Sequence, residues 1–302
     1  MSAVVLSPVD RWRETFAAYY ELTKPGITLM VVLSAAAGFY LALPKNSHIY
    51  LTVEYALLFA LTIVGTALVS AGSCALNQAV EAKYDETMKR TMFRPIPSGK
   101  IRVEYAVVFG IVLAVAGIAL LSFASLLAAG LALLTLALYI GVYTPMKKVS
   151  SFNTLIGGIP GALPPLGGWV TVTGDFALPG IVLFMILFLW QMPHFLSLAW
   201  MYRKDYERGG FQMMTVNDES GIRVAKNTLV YTLLLITFTL MLPFLGVTGM
   251  IYFAVLAVLS AGFIYTALRF FFQRTNANAR NVLLSSYFYL LAVITCIFID
   301  KV

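Results

Sequence analysis

Nine apolar runs, each long enough to cross a bilayer, leave this chain few folds to choose from. They fall at about 26–43, 55–79, 105–123, 125–143, 153–172, 178–200, 228–246, 250–272 and 282–299, judged against the roughly 20 residues that span a hydrocarbon core. Inside a bilayer every backbone N–H and C=O must be satisfied within the structure, so runs of this length are helices. The expected fold is therefore all-α: a polytopic membrane protein, one membrane-embedded domain over 1–302 with nine transmembrane helices. Composition agrees, with 60% hydrophobic and 12% charged residues, where a soluble domain is nearer half apolar and a quarter charged. The short gap at 122–125 reads as a tight hairpin.

The charges that remain are distributed unevenly. With the N-terminus placed inside, nineteen Lys and Arg fall on the inner segments and only Lys45 and Lys301 on the outer ones. That asymmetry puts the N-terminus in the cytoplasm and, with nine spans, the C-terminus outside. It also removes nucleic acid as the explanation of the net charge of +7. Residues 1–25 show no cleavable signal pattern. Trp12, Phe16, Tyr19 and Tyr20, with charges between them, read as a segment lying at the membrane interface. Cys74 and Cys296 both lie in apolar runs, so neither a disulfide nor a cysteine metal site is expected.

The second run ends in NQAVEAKYDETMKRTMFRP, Asn77 to Pro95. Asn77, Glu81 and Asp85 are four apart, a spacing that stacks them on one helix face. Three oxygen-bearing side chains in a row suit a hard cation such as Mg²⁺. Lys89, Arg90 and Arg94 follow, and Pro95 and Pro97 with Gly99 stop the helix and turn the chain back. A carboxylate ladder beside arginines suits a metal-bound diphosphate. The plainer alternative is a charged helix end with Asp85 and Lys89 as an ordinary pair.

Three further stretches stand out. Tyr143, Lys147, Lys148 and Asn153 border GGIPGALPPLGGW, Gly157 to Trp169, with five glycines and three prolines in 13 positions. This span is expected to be kinked and to line a cavity; the alternative is close helix packing through its glycines, without a cavity. The sixth run ends in WQMPHF, where Gln191 and His194 are costly in lipid and should face inward. The histidine is either functional or a satisfied core residue. The longest inner loop, at about 201–227, then carries Tyr202, Arg203, Asp205, Arg208, Gly209 and Gly210. Four spans separate this cluster from the first, so both emerge on one side of the membrane.

Taken together, NxxxExxxDxxMxRTxxRP at 77–95, YTxxKK…NxxxGGxxGAxPPLxGW at 143–169 and WQMPHFxxLA…KDYxxGG at 190–210 resemble the haem-farnesylating branch of the UbiA prenyltransferases. The resemblance covers most of the chain. It implies nine helices around a central cavity, with two polar motifs over its cytoplasmic mouth, in the cell inner membrane. It implies transfer of a farnesyl group from farnesyl diphosphate to a vinyl group of haem B, with water added, and haem A synthase or terminal oxidase assembly factors as neighbours. By the same resemblance Asn77, Glu81 and Asp85 match the first motif, which would hold Mg²⁺. Arg90 and Arg94 are its basic partners, Asp205 opens the second motif as a further metal ligand, and His194 serves the haem side. Tyr143, Lys147, Lys148, Asn153, Gln191, Tyr202 and Arg203 complete the substrate-facing candidates. Two departures stand out: Glu81 replaces the more frequent Asp, and Gly209 falls where a second Asp would close DxxxD. The competing functions are a sibling prenyltransferase acting on a quinone or chlorophyllide precursor, and a membrane haem carrier or transporter.

Overall fold

The computed structural model describes residues 8–44, 52–216 and 218–302; Lys45 and His48 lie outside them. Among the described residues nine helices are long and apolar enough to cross a membrane. A short helix α1 (Pro8–Leu22) precedes α2 (Pro25–Ala42), α3 (Val53–Asp85) and α4 (Val103–Ala124). The fourth span is composite: α5 (Leu126–Leu136), a π-helical segment (Ala137–Tyr143) and α6 (Thr144–Met146). Then come α7 (Asn153–Thr173), α8 (Leu178–Met201), a short α9 (Arg203–Arg208), α10 (Ile222–Thr239), α11 (Met241–Phe244), α12 (Met250–Phe272) and α13 (Asn276–Ile299).

The hydropathy boundaries hold at most ends and fail where helices run past the apolar core. The second span extends to Asp85 rather than 79, the seventh begins at Ile222 rather than 228, and the ninth at Asn276 rather than 282. Each added piece carries charged or amide side chains: Glu81 and Asp85; Arg223, Lys226 and Asn227; Asn276, Asn278 and Arg280. Polar residues end a hydropathy window without ending a helix. At the hairpin between α4 and α5, Ser125 Oγ accepts from Ala128 N at 3.3 Å and starts the new helix.

Gly157 to Trp169 lies within a continuous helix despite Pro160, Pro164 and Pro165. Its glycines make close approach possible, the second of the two readings above. A Cβ at Gly168 would lie 2.0 Å from the Ala35 carbonyl oxygen of α2, and one at Gly161 would lie 2.1 Å from Gln191 Oε1 of α8. A Cβ at Gly157 would meet the Tyr143 ring at 2.4 Å. The helix thus packs tightly on α2, the π-helical segment and α8 through residues without side chains. At the far end Lys301 Nζ donates to Tyr40 O and Leu43 O, both at 2.7 Å, joining the end of the chain to α2.

On α1, Trp12, Phe16 and Tyr20 are exposed while Ala18 and Leu22 are buried. That division fits a helix lying along an interface with its aromatic side turned away from the bundle.

Candidate active site

The long third helix positions the ladder. Because α3 continues unbroken to Asp85, Asn77, Glu81 and Asp85 fall on successive turns of one face. All three are buried: Asn77 is 1% exposed, Glu81 6% and Asp85 0%. Buried polar groups need partners, and each here has a cation from a different segment. Lys24 Nζ donates to Asn77 Oδ1 at 3.1 Å. Lys147 Nζ donates to Glu81 Oε1 at 2.6 Å. Arg94 Nη1 donates to Asp85 Oδ2 at 2.7 Å. The second carboxylate oxygen, Asp85 Oδ1, is buried and has no hydrogen-bond partner among the described residues.

The composite fourth span faces Lys147 toward this ladder. Its π-helical segment ends at Tyr143, and Asn77 Nδ2 donates to Thr144 Oγ1 of the next turn at 3.2 Å. One turn on, Lys147 meets Glu81, and its ammonium lies 4.5 Å from the centre of the Tyr143 ring, itself stacked on Tyr139 at 5.4 Å. π-helical turns inside α-helices often occur where function needs a shifted register. Burial alone would lower the Lys147 pKa. The neighbouring Tyr143, Glu81 and Tyr139 outweigh it and hold the ammonium above the ordinary lysine range. Burial lowers Lys24, with less compensation.

Three of the loops between spans meet over this end. Lys148 sits 3.4 Å from the centre of the Tyr84 ring and donates to Gly209 O. Gln212 N donates to Lys147 O at 2.7 Å, and Asn153 Nδ2 donates to Gln212 O at 2.8 Å. Arg90 lies 5.4 Å from the Tyr202 ring centre and 5.8 Å from that of Tyr206. The inference that both clusters share a side is therefore met by direct contacts between them.

Not every candidate reaches the ladder. Of the two arginines, Arg94 reaches Asp85, while Arg90 packs on Tyr202 and Tyr206. Asp205 pairs with Arg208 three residues on. Arg203 turns away, donating to Trp200 O and Asn276 Oδ1. Asn153 is fully buried and ties loops together. Gln191 Nε2 donates to Gly158 O at 3.0 Å and Leu187 O at 3.1 Å, so it secures α7 to α8. His194 is 7% exposed and meets α13: Nδ1 lies 2.9 Å from Ser286 Oγ, and its ring packs on Trp190 and Tyr287.

Three residues near the ladder escaped the sequence reading: Lys24, Thr144 and Tyr139. Lys24 looked like one more positive-inside charge. Its clue was the following Pro25, which disfavours the right-handed helical conformation at the residue before it.

The donor set around Asp85 fits a hard divalent cation. It offers two carboxylates and an amide oxygen, and Asp85 Oδ1 is a buried acceptor without a donor. Among the described residues no group of three His, Cys, Asp or Glu side chains comes together, so any such site depends on Asn77.

A sequence profile of the UbiA prenyltransferase family matches residues 31–292. The chain is 40% identical over 286 residues to the protoheme IX farnesyltransferase of Solibacter usitatus (strain Ellin6076), covering 94% of this chain and 98% of that protein. Its fold is similar to a structure of digeranylgeranylglyceryl phosphate synthase, with a TM-score of 0.75, 19% identity, and coverage of 94% of this chain and 99% of that one. It is also similar to a UbiA homologue from Archaeoglobus fulgidus bound to GPP and Mg²⁺, with a TM-score of 0.63, 16% identity, and coverage of 93% and 99%.

Proposed function

The chain belongs to the UbiA prenyltransferase family, and from that premise we propose how it transfers a farnesyl group from farnesyl diphosphate to a vinyl carbon of haem B. Water adds to the other vinyl carbon, giving haem O and diphosphate. The observation that carries the acceptor is the near full-length likeness to a protoheme IX farnesyltransferase. The geometry that carries the diphosphate is the buried ladder with its unpartnered Asp85 oxygen.

Asn77, Glu81 and Asp85 would hold a magnesium ion, and the Archaeoglobus fulgidus homologue of this fold is bound to Mg²⁺ and GPP. Such an ion supplies Lewis-acid neutralisation of the diphosphate oxygens. The chain's own cations add to it. Arg94, Lys24 and Lys147 place positive charge where negative charge builds as the C1–O bond of the farnesyl chain breaks. Their low-polarity surroundings strengthen that effect. Tyr143 and Tyr139, stacked beside Lys147, offer π faces that tolerate an allylic cation, and the apolar helices keep water from it.

His194 is assigned to the haem side. Ser286 Oγ donates to Leu283 O at 2.6 Å, so its hydrogen is committed and it accepts from His194 Nδ1–H. That tautomer leaves Nε2 with a lone pair, the form in which imidazole ligates haem iron. In purified protein, His194→Ala is expected to lose the haem Soret shift on titration while farnesyl diphosphate binding stays near wild type. A variant that loses both together with thermal stability would make the residue structural.

The chain is a multi-pass membrane protein, and the reading places it in the inner membrane with the ladder at the cytoplasmic end. A reporter fused after Val302 should behave as periplasmic; a cytoplasmic signal would mean that the spans or their direction are wrong. With purified protein, farnesyl diphosphate and haem B, product should form with Mg²⁺ and cease with a chelator. Full turnover in the chelator would remove the metal from the mechanism.

A further inference from the structure

Lys24 holds the ladder in an unusual way. It sits at φ 45°, ψ 65°, the only non-glycine residue with positive φ among the described residues. A left-handed lysine is strained and persists only where its surroundings enforce it. What this turn achieves is to bring an ammonium to Asn77 Oδ1 at 3.1 Å. Asn77 is neutral, so Lys24 has a weaker partner than Lys147 or Arg94, each of which meets a carboxylate. Lys24 and Arg94 also line one hollow of about 300 Å³, together with Glu21, Pro25, Gly26 and Gln78. A hollow that size has room for a diphosphate group, and two cations already border it.

We propose that Lys24 is an exchange residue that links metal binding to diphosphate binding. The proposal rests on the metal–diphosphate reading of the ladder given above. When a divalent cation takes Asn77 Oδ1, the Lys24 ammonium gives up that oxygen and turns to a diphosphate oxygen in the hollow. Without the anion, Lys24 competes with the metal for Asn77 and repels it. With the anion, the lysine has a stronger partner and the metal an unopposed ligand. Coupling of this kind is reciprocal and typically amounts to 5–150-fold.

The test needs no turnover. Mn²⁺ binding to the full-length protein in detergent is measured by electron paramagnetic resonance, with and without inorganic pyrophosphate, for wild type, Lys24→Met and Lys24→Arg. Lys24→Met should bind Mn²⁺ alone about tenfold more tightly than wild type, and pyrophosphate in the presence of Mn²⁺ about tenfold more weakly. Lys24→Arg should stay near wild type in both. Should Lys24→Met fail to fold, Lys24→Gln is measured with the same two expectations. If the neutral variant binds Mn²⁺ alone no more tightly than wild type, the exchange is overturned while the metal site stands. If wild type binds no Mn²⁺ even with pyrophosphate, the metal reading falls and the exchange falls with it.

Discussion

Asp85→Asn is expected to lower kcat/KM by about 10³-fold, the scale seen when a single group stabilising transition-state charge is removed, while leaving the protein folded. The structure makes Asn the informative replacement. Asp85 is wholly buried, and one oxygen accepts from Arg94 at 2.7 Å. Alanine would strip Arg94 of that partner and so confuse a catalytic loss with a structural one. Asparagine keeps the shape and an acceptor for Arg94, so the cost in stability should stay at about 1–3 kcal/mol, that of weakening a hydrogen bond to a charged group. It removes the negative charge and puts an amide where Asp85 Oδ1 now stands without a donor. If Asp85 is merely Arg94's partner, activity should survive. If it is a metal ligand, activity should collapse and Mn²⁺ binding should weaken with it. Near wild-type turnover at saturating farnesyl diphosphate and Mg²⁺ would take Asp85 out of the site.

Gly168→Ala is the second large effect, on stability rather than chemistry. A Cβ there would lie 2.0 Å from Ala35 O and 2.8 Å from Phe39 N, both backbone atoms of α2. On the other side of the same crossing, a Cβ at Gly38 would lie 1.9 Å from Pro165 O of α7. No rotamer change relieves a clash with backbone, so the two helices must separate. Overpacking of this kind costs about 3 kcal/mol or more when the neighbour cannot move. Gly168→Ala and Gly38→Ala should each lower the melting temperature in detergent by several degrees and reduce the yield of folded protein. Gly167→Ala, with open space at its Cβ position, is the matched control and should behave as wild type. Equal stability of all three would mean that α2 and α7 do not cross as described.

How far the sequence could be read depended on whether the signal was local. The spans were legible because hydropathy acts residue by residue along a helix. The ladder was legible because spacing by four is a property of α3 alone. The meeting of the loops over the ladder was partly legible, from the number of spans between Asp85 and Asp205. Pairings between distant segments were not. Nothing in a one-dimensional pattern says that Lys147 rather than Lys89 reaches Glu81, or that Arg203 faces Asn276 and leaves the ladder to Arg94. The π-helical register that carries Thr144 and Lys147 to the ladder was equally hidden, since the apolar run continues smoothly through it. Gln191 and His194 looked like neighbours three residues apart with a shared purpose. In the fold Gln191 serves the α7 contact and His194 faces α13.

The most direct test of the central claim is to express the chain in cells that make haem B but no haem O, extract the haems and weigh them. The account predicts a new haem heavier than haem B by one farnesyl and one hydroxyl group, absent when Asp85→Asn is expressed at the same level. Haem B alone, in cells whose membranes contain the folded wild-type protein and a supply of farnesyl diphosphate, would contradict it.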